Sequence, residues 1–513
     1  MSQETFGRLL SASTKEEETP EIAAMKAGKA KGLSPEAIAM AASLAHDTIS
    51  QSVLIGSVRL TDALIIALSG YIALYSVTSN LVPDMIAALA MFAALPFTIM
   101  LFHISEIYEP KRLARPSSQA LRLFMGWTIV FAVGSSFSML AIPSSSLPHD
   151  ALLRWYGLGF VSLAVFHVVL SHYTSKWVKN GQLTRRALLV GGGNAAADLI
   201  ADLERQPDND ITICGIFDDR GNDRSPPSVA GYQKLGSISD LVEFARIAKI
   251  DILLVTIPMR AEKRILELLE KLWVLPVDIR LSAHSEKMRF RNRASSFVGT
   301  IPFVDVMQKP IADWDYISKR IFDIVIASAS LVALSPVFLI TALMIKLDSS
   351  GPVIFRQKRY GFNNELIEIY KFRSMYQDMT DKNAANLVTK SDPRVTKVGR
   401  FIRKSSIDEL PQLLNVLRGE LSLVGPRPHA LSAKAENHLY EQVVDGYFAR
   451  HKVKPGVTGW AQINGWRGET DTQEKIQKRV EYDLYYIENW SVLFDLYILI
   501  KTPFSLLNTE NAY

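Results

Sequence analysis

Cysteine is almost absent from the chain, because Cys214 is the one cysteine among 513 residues. A single thiol excludes an internal disulfide, and its scarcity agrees with a reducing compartment. A strong charge of one sign is also missing, since 57 Lys and Arg residues stand against 52 Asp and Glu residues. The net charge therefore identifies no partner, and the distribution of basic residues along the chain is more informative.

A secretory signal is missing from the first 50 residues, which lack a compact basic start, an apolar core and a small-residue cleavage site in that order. They are polar and rich in alanine, which is typical of a cytoplasmic tail, and a helix is predicted near Pro35 to Ala45. We assign residues 1–52 to this tail.

Long apolar runs are abundant. Four runs of close to the ~20 residues that cross a bilayer follow one another with short polar links, which favours spanning helices over buried core helices. Lys and Arg lie before the first run, after the second and after the fourth, so the positive-inside rule places both flanks in the cytoplasm. With few charged groups inside the runs, we expect scaffolding or partner binding rather than transport. The predicted transmembrane region is 53–172, with runs at about residues 60–78, 84–104, 121–142 and 152–171.

Between residues 183 and 305, short apolar strands alternate with helices, which predicts a Rossmann-like α/β domain with a parallel sheet. One strand runs into Gly191 and Gly193 with the spacing G-x-G-x-x-A, and Asp218 closes the next strand where a ribose-binding acid would lie. Two interpretations stay open: the domain binds a nucleotide, or it is a scaffold without a ligand. The absence of a redox or catalytic partner nearby favours the scaffold.

An NAD-dependent epimerase or dehydratase is a third interpretation of the glycine motif. Such an enzyme needs a proton-transfer pair such as Tyr-x-x-x-Lys within the domain. The single tyrosine there is Tyr232, and Gly236 stands four residues on, so the pair is absent.

A fifth apolar run, residues 321–345, is long enough to span but has Lys and Arg immediately on both sides. A true span would place the basic C-terminal third outside, against the positive-inside rule. Pro336 removes one helix hydrogen bond, and the preceding Ser335 can satisfy a freed carbonyl. We therefore expect a re-entrant helix that breaks here and returns to the same side, with an ordinary kinked span as the alternative.

Basic residues recur beside glycine and proline in the C-terminal third. Next to a membrane hairpin, they suggest ligands for phosphate or for anionic lipid headgroups. No array of aromatic side chains accompanies them, which argues against nucleic acid as a partner. They include Arg356, Lys371, Arg373, Arg394, Arg400, Arg403 and Arg427.

One acidic pair, Asp408 and Glu409, lies inside this basic region. Pro411 fits only the first helical turn, so we expect a helix that begins at residues 408–410 and ends at Gly419. Asp408 would then lie at a helix N-terminus, which favours phosphate and an ionised carboxylate. One carboxylate can attack phosphorus while the other holds a metal or moves a proton. The alternative is a simple N-cap.

Several motifs follow one another through residues 315–513: Lys319-Arg320 with Asp323, Ser335-Pro336, Gly351-Pro-Val-Ile-Phe-Arg-Gln-Lys-Arg-Tyr-Gly, Tyr370-Lys-Phe-Arg-Ser-Met, Ser406-Ile-Asp-Glu-Leu-Pro-Gln, Leu423-Val-Gly-Pro-Arg-Pro, Lys454-Pro-Gly-Val-Thr-Gly-Trp-Ala-Gln and Glu481-Tyr-Asp483. In this order they resemble the catalytic domain of the monotopic polyprenyl-phosphate phosphoglycosyl transferases. The four spans and the Rossmann-like domain match the long form of that family, so the resemblance covers nearly the whole chain.

The resemblance implies a ping-pong reaction. Asp408 would attack the phosphorus that bears the sugar of a UDP-sugar, UMP would leave, and a polyprenyl phosphate would then take the sugar phosphate from the aspartyl intermediate. Mg²⁺ would neutralise the diphosphate, with Asp408, Glu409 and Asp483 as metal ligands. The implied phosphate and substrate contacts are Lys371, Arg373, Arg403 and Arg427, the last flanked by Pro426 and Pro428.

The sugar and the lipid are also expected from the resemblance. The stretch Trp460-Ala-Gln-Ile-Asn-Gly-Trp-Arg-Gly-Glu-Thr-Asp is similar to that of members that transfer glucose-1-phosphate. The lipid would be undecaprenyl phosphate in a bacterial inner membrane, with both globular domains in the cytoplasm, and a homodimer is expected. A function from another class stays open, that of a non-catalytic membrane regulator or assembly platform with a nucleotide-sensing middle domain.

Overall fold

The structure is a computed structural model, and it divides the chain into two compact units. One unit comprises residues 46–185 with 210–212, and the other comprises residues 1–45, 186–209 and 213–513. The structure describes residues 32–507, apart from residues 45–47, 115, 142–146, 207–209, 222–225, 259–260, 283–295, 299–300, 380–391, 430–433, 436–437, 440–446 and 467–471.

The first unit is helical, as the apolar runs predict. Its helices are α2 (Gln51–Thr78), α3 (Met85–Ile104), the short α4 (Pro110–Leu113), α5 (Pro116–Ala141) and α6 (His149–Lys179). Over their described residues, α2, α3 and α6 are long and apolar enough to cross a membrane.

A buried polar cluster ties these helices together. The carboxylate of Asp62 on α2 has no exposed surface, accepts a hydrogen bond from Tyr108 at 3.0 Å and lies 3.1 Å from Nε2 of His167 on α6. A carboxylate with no exposed surface needs partners, because no water reaches it. Sequence reasoning missed this cluster, since single residues so far apart in the chain form no motif.

The middle domain is built on an eight-stranded sheet with the order β3-β4-β2-β1-β5-β6-β8-β7. The pairs β1–β5, β5–β6 and β2–β4 are parallel, but β3, β7 and β8 pair antiparallel, so the predicted parallel sheet is wrong at both edges. The elements are β1 (Arg185–Val190), α7 (Asn194–Glu204), β2 (Ile211–Phe217), β3 (Ser228–Val229), β4 (Tyr232–Gly236), α8 (Ile238–Ile247), β5 (Ile252–Val255), α9 (Glu262–Leu272), β6 (Asp278–Ser282), β7 (Ser296–Val298) and β8 (Ile301–Met307).

The predicted N-terminal helix forms as α1 (Pro35–Ser43), and it is part of the middle domain. Ala37 and Ala41 are buried in the apolar core that the sheet shares with α8. Ser34 caps the helix and donates from its hydroxyl to the carbonyl of Leu235 at 2.9 Å. The segment that precedes the helical unit therefore packs on a domain that follows this unit in the chain.

The fifth apolar run forms two helices, α10 (Asp313–Ala333) and α11 (Ser335–Asp348), which meet at a bend of 61°. The hydroxyl of Ser335 donates to the carbonyl of Val332 at 2.8 Å, and Pro336 lies in the first turn of α11. The predicted break at Ser335-Pro336 is confirmed, together with the capture of a freed carbonyl by the serine.

The first half of α10 is held by polar contacts to the C-terminal domain. Lys319 donates to Asp495 at 2.6 Å, and Asp323 accepts from the backbone of Leu423 at 3.1 Å. The remaining elements are β9 (Ile354–Tyr360), β10 (Leu366–Phe372), α12 (Lys397–Lys404), α13 (Gln412–Arg418), β11 (Ser422–Val424), β12 (Lys434–Ala435), β13 (His438–Leu439), β14 (Gly456–Thr458), α14 (Trp460–Ile463), α15 (Gln473–Glu488) and α16 (Val492–Leu507), with 3-10 turns at Phe362–Asn364, Gln377–Met379, Ile407–Glu409 and Tyr447–Lys452.

The docking of α1 yields a stability prediction with an internal control. Ala37 is buried and Ala39 is exposed on the same helix. Ala37→Glu places an unpaired charge in the core and should lower the stability of the middle domain by on the order of 3 kcal/mol. Ala39→Glu should leave the thermal unfolding temperature in detergent nearly unchanged. Equal effects of the two substitutions would contradict the docking of α1.

Candidate active site

The acidic pair lies in a single 3-10 turn, Ile407–Glu409, between α12 and α13. Ser406 precedes it in the left-handed backbone region, with φ of 58°. The α-helix that follows begins at Gln412, so the expectation that it begins at residues 408–410 is wrong, because the chain first makes this tighter turn. Gly419 ends the helix with a positive φ, as predicted.

Glu409 is held by two cations. Its carboxylate accepts from Lys371 Nζ at 2.9 Å and from both terminal nitrogens of Arg427, at 2.5 and 3.2 Å. Although burial opposes ionisation, the charges of Arg427 and Lys371 hold the pKa of Glu409 well below its usual range. Glu409 is therefore an ionised anchor for two cationic side chains.

Asp408 is buried beside this anchor but makes no hydrogen bond through its carboxylate in the described part of the chain. Burial raises the pKa of Asp408 to about 6, with a smaller contribution from Glu409, while Lys371 opposes the rise. Adjacent carboxylates thus have different environments, one bonded and one free. A free, buried carboxylate beside cations is suited to attack an electrophile that carries negative charge.

Lys371 reaches the pair because α13 is fastened to strand β10. The side chain of Asn415 on α13 accepts from the backbone of Tyr370 at 2.9 Å and donates to the carbonyl of Glu368 at 2.7 Å. These bonds fix the strand that carries Lys371 against the turn that carries Glu409. Sequence reasoning did not single out Asn415.

Arg427 reaches the pair from a loop built by two glycine-rich motifs. Strand β11 pairs with β14, and Gly425 approaches Gly456 so closely that a Cβ on Gly425 would lie 2.5 Å from the carbonyl of Lys454. The carbonyl of Pro426 accepts from the backbone of Gly456 at 2.9 Å. Pro426 and Pro428, both buried, flank Arg427 and thereby shape its loop.

Of the other two predicted phosphate contacts, one lies near the acidic pair and the other bonds elsewhere. Arg403, in the last turn of α12, lies close enough for its charge to lower the pKa of Asp408. Arg373 lies apart, because its guanidinium donates to the carbonyls of Ser349 at 2.7 Å and Ser350 at 2.6 Å. Arg373 thus stabilises the C-terminal end of α11 and lies outside the candidate site.

Asp483 does not join the acidic pair. Its carboxylate accepts from Arg450 at 2.5 Å, and both side chains are buried. Within the described residues, no group of three His, Cys, Asp or Glu side chains could hold a metal ion. The predicted set of metal ligands Asp408, Glu409 and Asp483 is therefore not brought together, and Arg450 is a functional candidate that the sequence did not reveal.

The glycine-rich edge of the middle domain is occupied by its own side chains. Asp218 accepts from the backbone of Gly192 at 2.7 Å and pairs with Arg220 at 2.6 Å. Burial opposes ionisation, but these bonds hold the pKa of Asp218 at about 2. Gly191 and Gly193 adopt positive φ, as a tight turn requires. Because the acid expected to bind ribose is already paired, this arrangement favours the scaffold interpretation.

The two adjacent carboxylates should respond differently to neutralisation. Asp408→Asn removes a carboxylate that burial penalises, so stability should stay equal or rise slightly. Glu409→Gln leaves Lys371 and Arg427 without their counterion and should cost about 1–2 kcal/mol, a value discounted because these two side chains keep 18% and 27% of their surface exposed. Thermal unfolding in detergent measures the stability of both variants. A larger loss of stability for Asp408→Asn than for Glu409→Gln would contradict the assignment of Glu409 as the anchor of the cations and of Asp408 as the unbonded carboxylate.

Comparisons with known proteins identify the family of the chain. Residues 314–509 match the family described as bacterial sugar transferase, and residues 103–283 match one described as a CoA-binding domain. Proteins named UDP-glucose:undecaprenyl-phosphate glucose-1-phosphate transferase are similar over most of the chain. The one from Escherichia coli K12 is 37% identical over 81% of this chain and 87% of its own length. The one from Klebsiella pneumoniae is 34% identical over 89% and 96%. The chain belongs to the bacterial sugar transferase family.

Proposed function

We propose that this protein transfers glucose-1-phosphate from UDP-glucose to undecaprenyl phosphate and releases UMP, as the first step of exopolysaccharide or capsule synthesis. The observation that carries the proposal is the buried, unbonded Asp408 carboxylate beside two cations held by Glu409. The relatives are named for this same transfer. The homodimer implied by the resemblance is part of the proposal, and light scattering of purified protein tests it.

In the first step, a carboxylate oxygen of Asp408 attacks the β-phosphorus of UDP-glucose. A new P–O bond forms on Asp408, and the bond from that phosphorus to the bridging oxygen breaks. UMP leaves with the electron pair, and an aspartyl–phosphoglucose remains. Covalent capture divides one transfer into two displacements at the same phosphorus.

The cations around the pair would stabilise the charge that develops on UMP. Lys371 and Arg427 are already within reach, since both end on Glu409, the neighbour of Asp408. Arg403 adds a third positive charge near Asp408. Fixed charges of this kind in a water-poor site favour a transition state with charge on the leaving oxygen.

In the second step, a phosphate oxygen of undecaprenyl phosphate attacks the phosphorus on Asp408. The P–O bond to Asp408 breaks, the carboxylate is regenerated, and undecaprenyl-diphosphate-glucose is the product. The nucleophile is a membrane lipid, so we expect the site to lie at the level of the lipid headgroups.

Mg²⁺ fits this site as a partner of the substrate. Mg²⁺ commonly takes one or two carboxylates and completes its shell with phosphate oxygens and water. Asp408 offers unbonded oxygens, whereas Glu409 is engaged with Lys371 and Arg427 and Asp483 with Arg450. Asp408 would therefore hold the ion, with Glu409 beside it, and the ion would supply charge neutralisation of the diphosphate.

We infer four spans in the helical region, with both flanks in the cytoplasm. Helix α1 precedes the region and middle-domain strands follow it, yet Ala37 and Ala41 lie in the middle-domain core. The chain between them therefore crosses the membrane an even number of times. Three helices are apolar and long enough, so α5 is the fourth. The excess of Lys and Arg on these flanks favours the cytoplasmic side.

The same reasoning supports a re-entrant rather than a spanning α10–α11 pair. Lys452, which follows the pair, contacts Met307 at 3.0 Å and lies over the ring of Trp273, and both of these precede it. The domains before and after the pair are thus on one side. Beyond Asp323, α10 continues for ten residues, or about 15 Å, which reaches only one leaflet.

Cysteine labelling tests the topology, because the native Cys214 is buried. All three introduced cysteines lie at exposed positions. Asn80→Cys lies in the loop after α2 and Asp150→Cys at the start of α6, both on the side assigned to the outside, and Lys179→Cys lies at the end of α6. In intact cells, a membrane-impermeant maleimide should label the first two and should label Lys179→Cys only after permeabilisation. Protection of Asp150→Cys, with Asn80→Cys labelled, would show that α5 does not cross.

Release of UMP tests the reaction. Purified protein with UDP-glucose, undecaprenyl phosphate and Mg²⁺ should release UMP. Asp408→Asn should lower the rate by at least roughly 10³-fold while the protein stays folded, since the nucleophile is lost. UDP-galactose and UDP-N-acetylglucosamine should be poor donors. A folded Asp408→Asn variant with wild-type polysaccharide in cells would instead support the platform.

A further inference from the structure

A buried cluster of charged and aromatic side chains lies behind the Arg427 loop. It draws on three separated segments, namely the end of that loop, the 3-10 turn Tyr447–Lys452 and helix α15. All of its members are buried. They are His429, Tyr447, Arg450, Arg479 and Asp483.

Arg450 is at the centre of the cluster and has no exposed surface. One terminal nitrogen, Nη2, donates to the main-chain carbonyl of Arg427 at 2.8 Å and to Asp483 at 2.5 Å. The other, Nη1, lies 2.6 Å from Nδ1 of His429. The guanidinium thus holds the backbone of Arg427 itself and the residue two positions further along.

The counterion and the histidine fit this role. Burial, then the charges of Arg450 and Arg479, hold the pKa of His429 well below its usual range, so the ring is neutral and can accept from arginine. Asp483 supplies the one carboxylate in the cluster. Burying two guanidinium groups with a single carboxylate costs desolvation energy that the ion pair does not fully recover. The cluster is therefore a poor source of folding stability, and we infer that its role is to fix the positions of the groups that it bonds.

The cluster also reaches the segment that resembles glucose-transferring relatives. Arg479 donates to the carbonyl of Trp466 from Nε at 2.9 Å and from Nη2 at 2.6 Å, and its Nη1 lies 3.3 Å from Nε2 of His429. His429 is therefore flanked by both arginines. The carbonyls of Arg427 and Trp466 are thus both bonded to this one cluster of buried side chains.

We propose that Arg450, with Asp483 as its counterion, is a positioning residue for UDP-glucose, which acts by fixing the main chain at Arg427. The inference rests on the proposed function, in which Arg427 contacts the departing nucleotide. It also reassigns Asp483 from a metal ligand to the partner of Arg450. The nucleotide takes part only in the first half-reaction, so that half alone should depend on Arg450.

A double-mutant cycle between Arg450→Lys and Arg427→Ala tests this. In ping-pong kinetics, kcat/KM for UDP-glucose reports the first half-reaction and kcat/KM for undecaprenyl phosphate reports the second. Arg450→Lys should lower the first roughly 10-fold to 100-fold, as loss of a charge-assisted hydrogen bond would, and change the second less than about 3-fold. In the Arg427→Ala background, Arg450→Lys should lower kcat/KM for UDP-glucose little further, because Arg450 acts by positioning Arg427.

Arg373→Lys is the matched control, because Arg373 is also a buried arginine on main-chain carbonyls but lies outside the cluster. The fold-reduction in kcat/KM for UDP-glucose caused by Arg373→Lys should be the same in the wild-type and Arg427→Ala backgrounds, so that the two effects are independent. Asp483→Asn provides a second route, since it keeps the shape and an acceptor for Arg450 while removing the charge. Asp483→Asn should also lower kcat/KM for UDP-glucose, by a smaller factor than Arg450→Lys does. The reduction should be the same with or without excess Mg²⁺.

Three results would overturn the inference: multiplicative effects of Arg450→Lys and Arg427→Ala, equal losses in both half-reactions, or rescue of Asp483→Asn by high Mg²⁺. Equal losses would indicate a smaller fraction of folded protein. Failure of the proposed function would be distinct, since it would appear as UMP release that survives Asp408→Asn whatever the cycle shows.

Discussion

The ion pairs of Glu409 with Lys371 and Arg427 are the interaction on which the site depends. A buried glutamate without partners would take up a proton, and two adjacent, half-buried cations without a counterion would repel each other. Together they hold positive charge beside Asp408 while leaving its own carboxylate unbonded. The chemistry that we assign to Asp408 requires this division, in which one acid organises the cations and the other stays free to react.

Most of the surrounding fold serves to bring those partners together from distant parts of the chain. Strand β10 carries Lys371 and is fastened to α13 through Asn415. Strands β11 and β14 pair, and the close approach of Gly425 to Gly456 beside them delivers Arg427, whose backbone Arg450 holds. The first half of α10 is anchored in the same domain, so the α10–α11 pair and Asp408 share one framework.

Sequence patterns predicted the elements that depend on local chemistry. The break at Ser335-Pro336 and the end of α13 at Gly419 follow from backbone preferences, and charge singled out the acidic pair inside a basic region. That Lys371 and Arg427 belong to the same site as this pair was implied by the family resemblance. The predicted helix start at 408–410 was wrong, because a 3-10 turn competes with an α-helix before Pro411. The sequence could not separate Arg373 from Arg427, since both are arginines in basic motifs and only tertiary contacts decide which carbonyls or carboxylates they meet. Arg450 and Arg479 were missed for the same reason.

The central claim is that Asp408 carries the sugar phosphate, and trapping that adduct tests it most directly. Wild-type protein would be mixed with UDP-glucose and Mg²⁺ in the absence of lipid phosphate, quenched, digested and analysed by mass spectrometry. We predict a burst of UMP no larger than the amount of protein, and a peptide containing Asp408 heavier by one hexose phosphate. UMP release only in the presence of lipid phosphate, with no modified peptide, or an adduct on another residue, would contradict the claim.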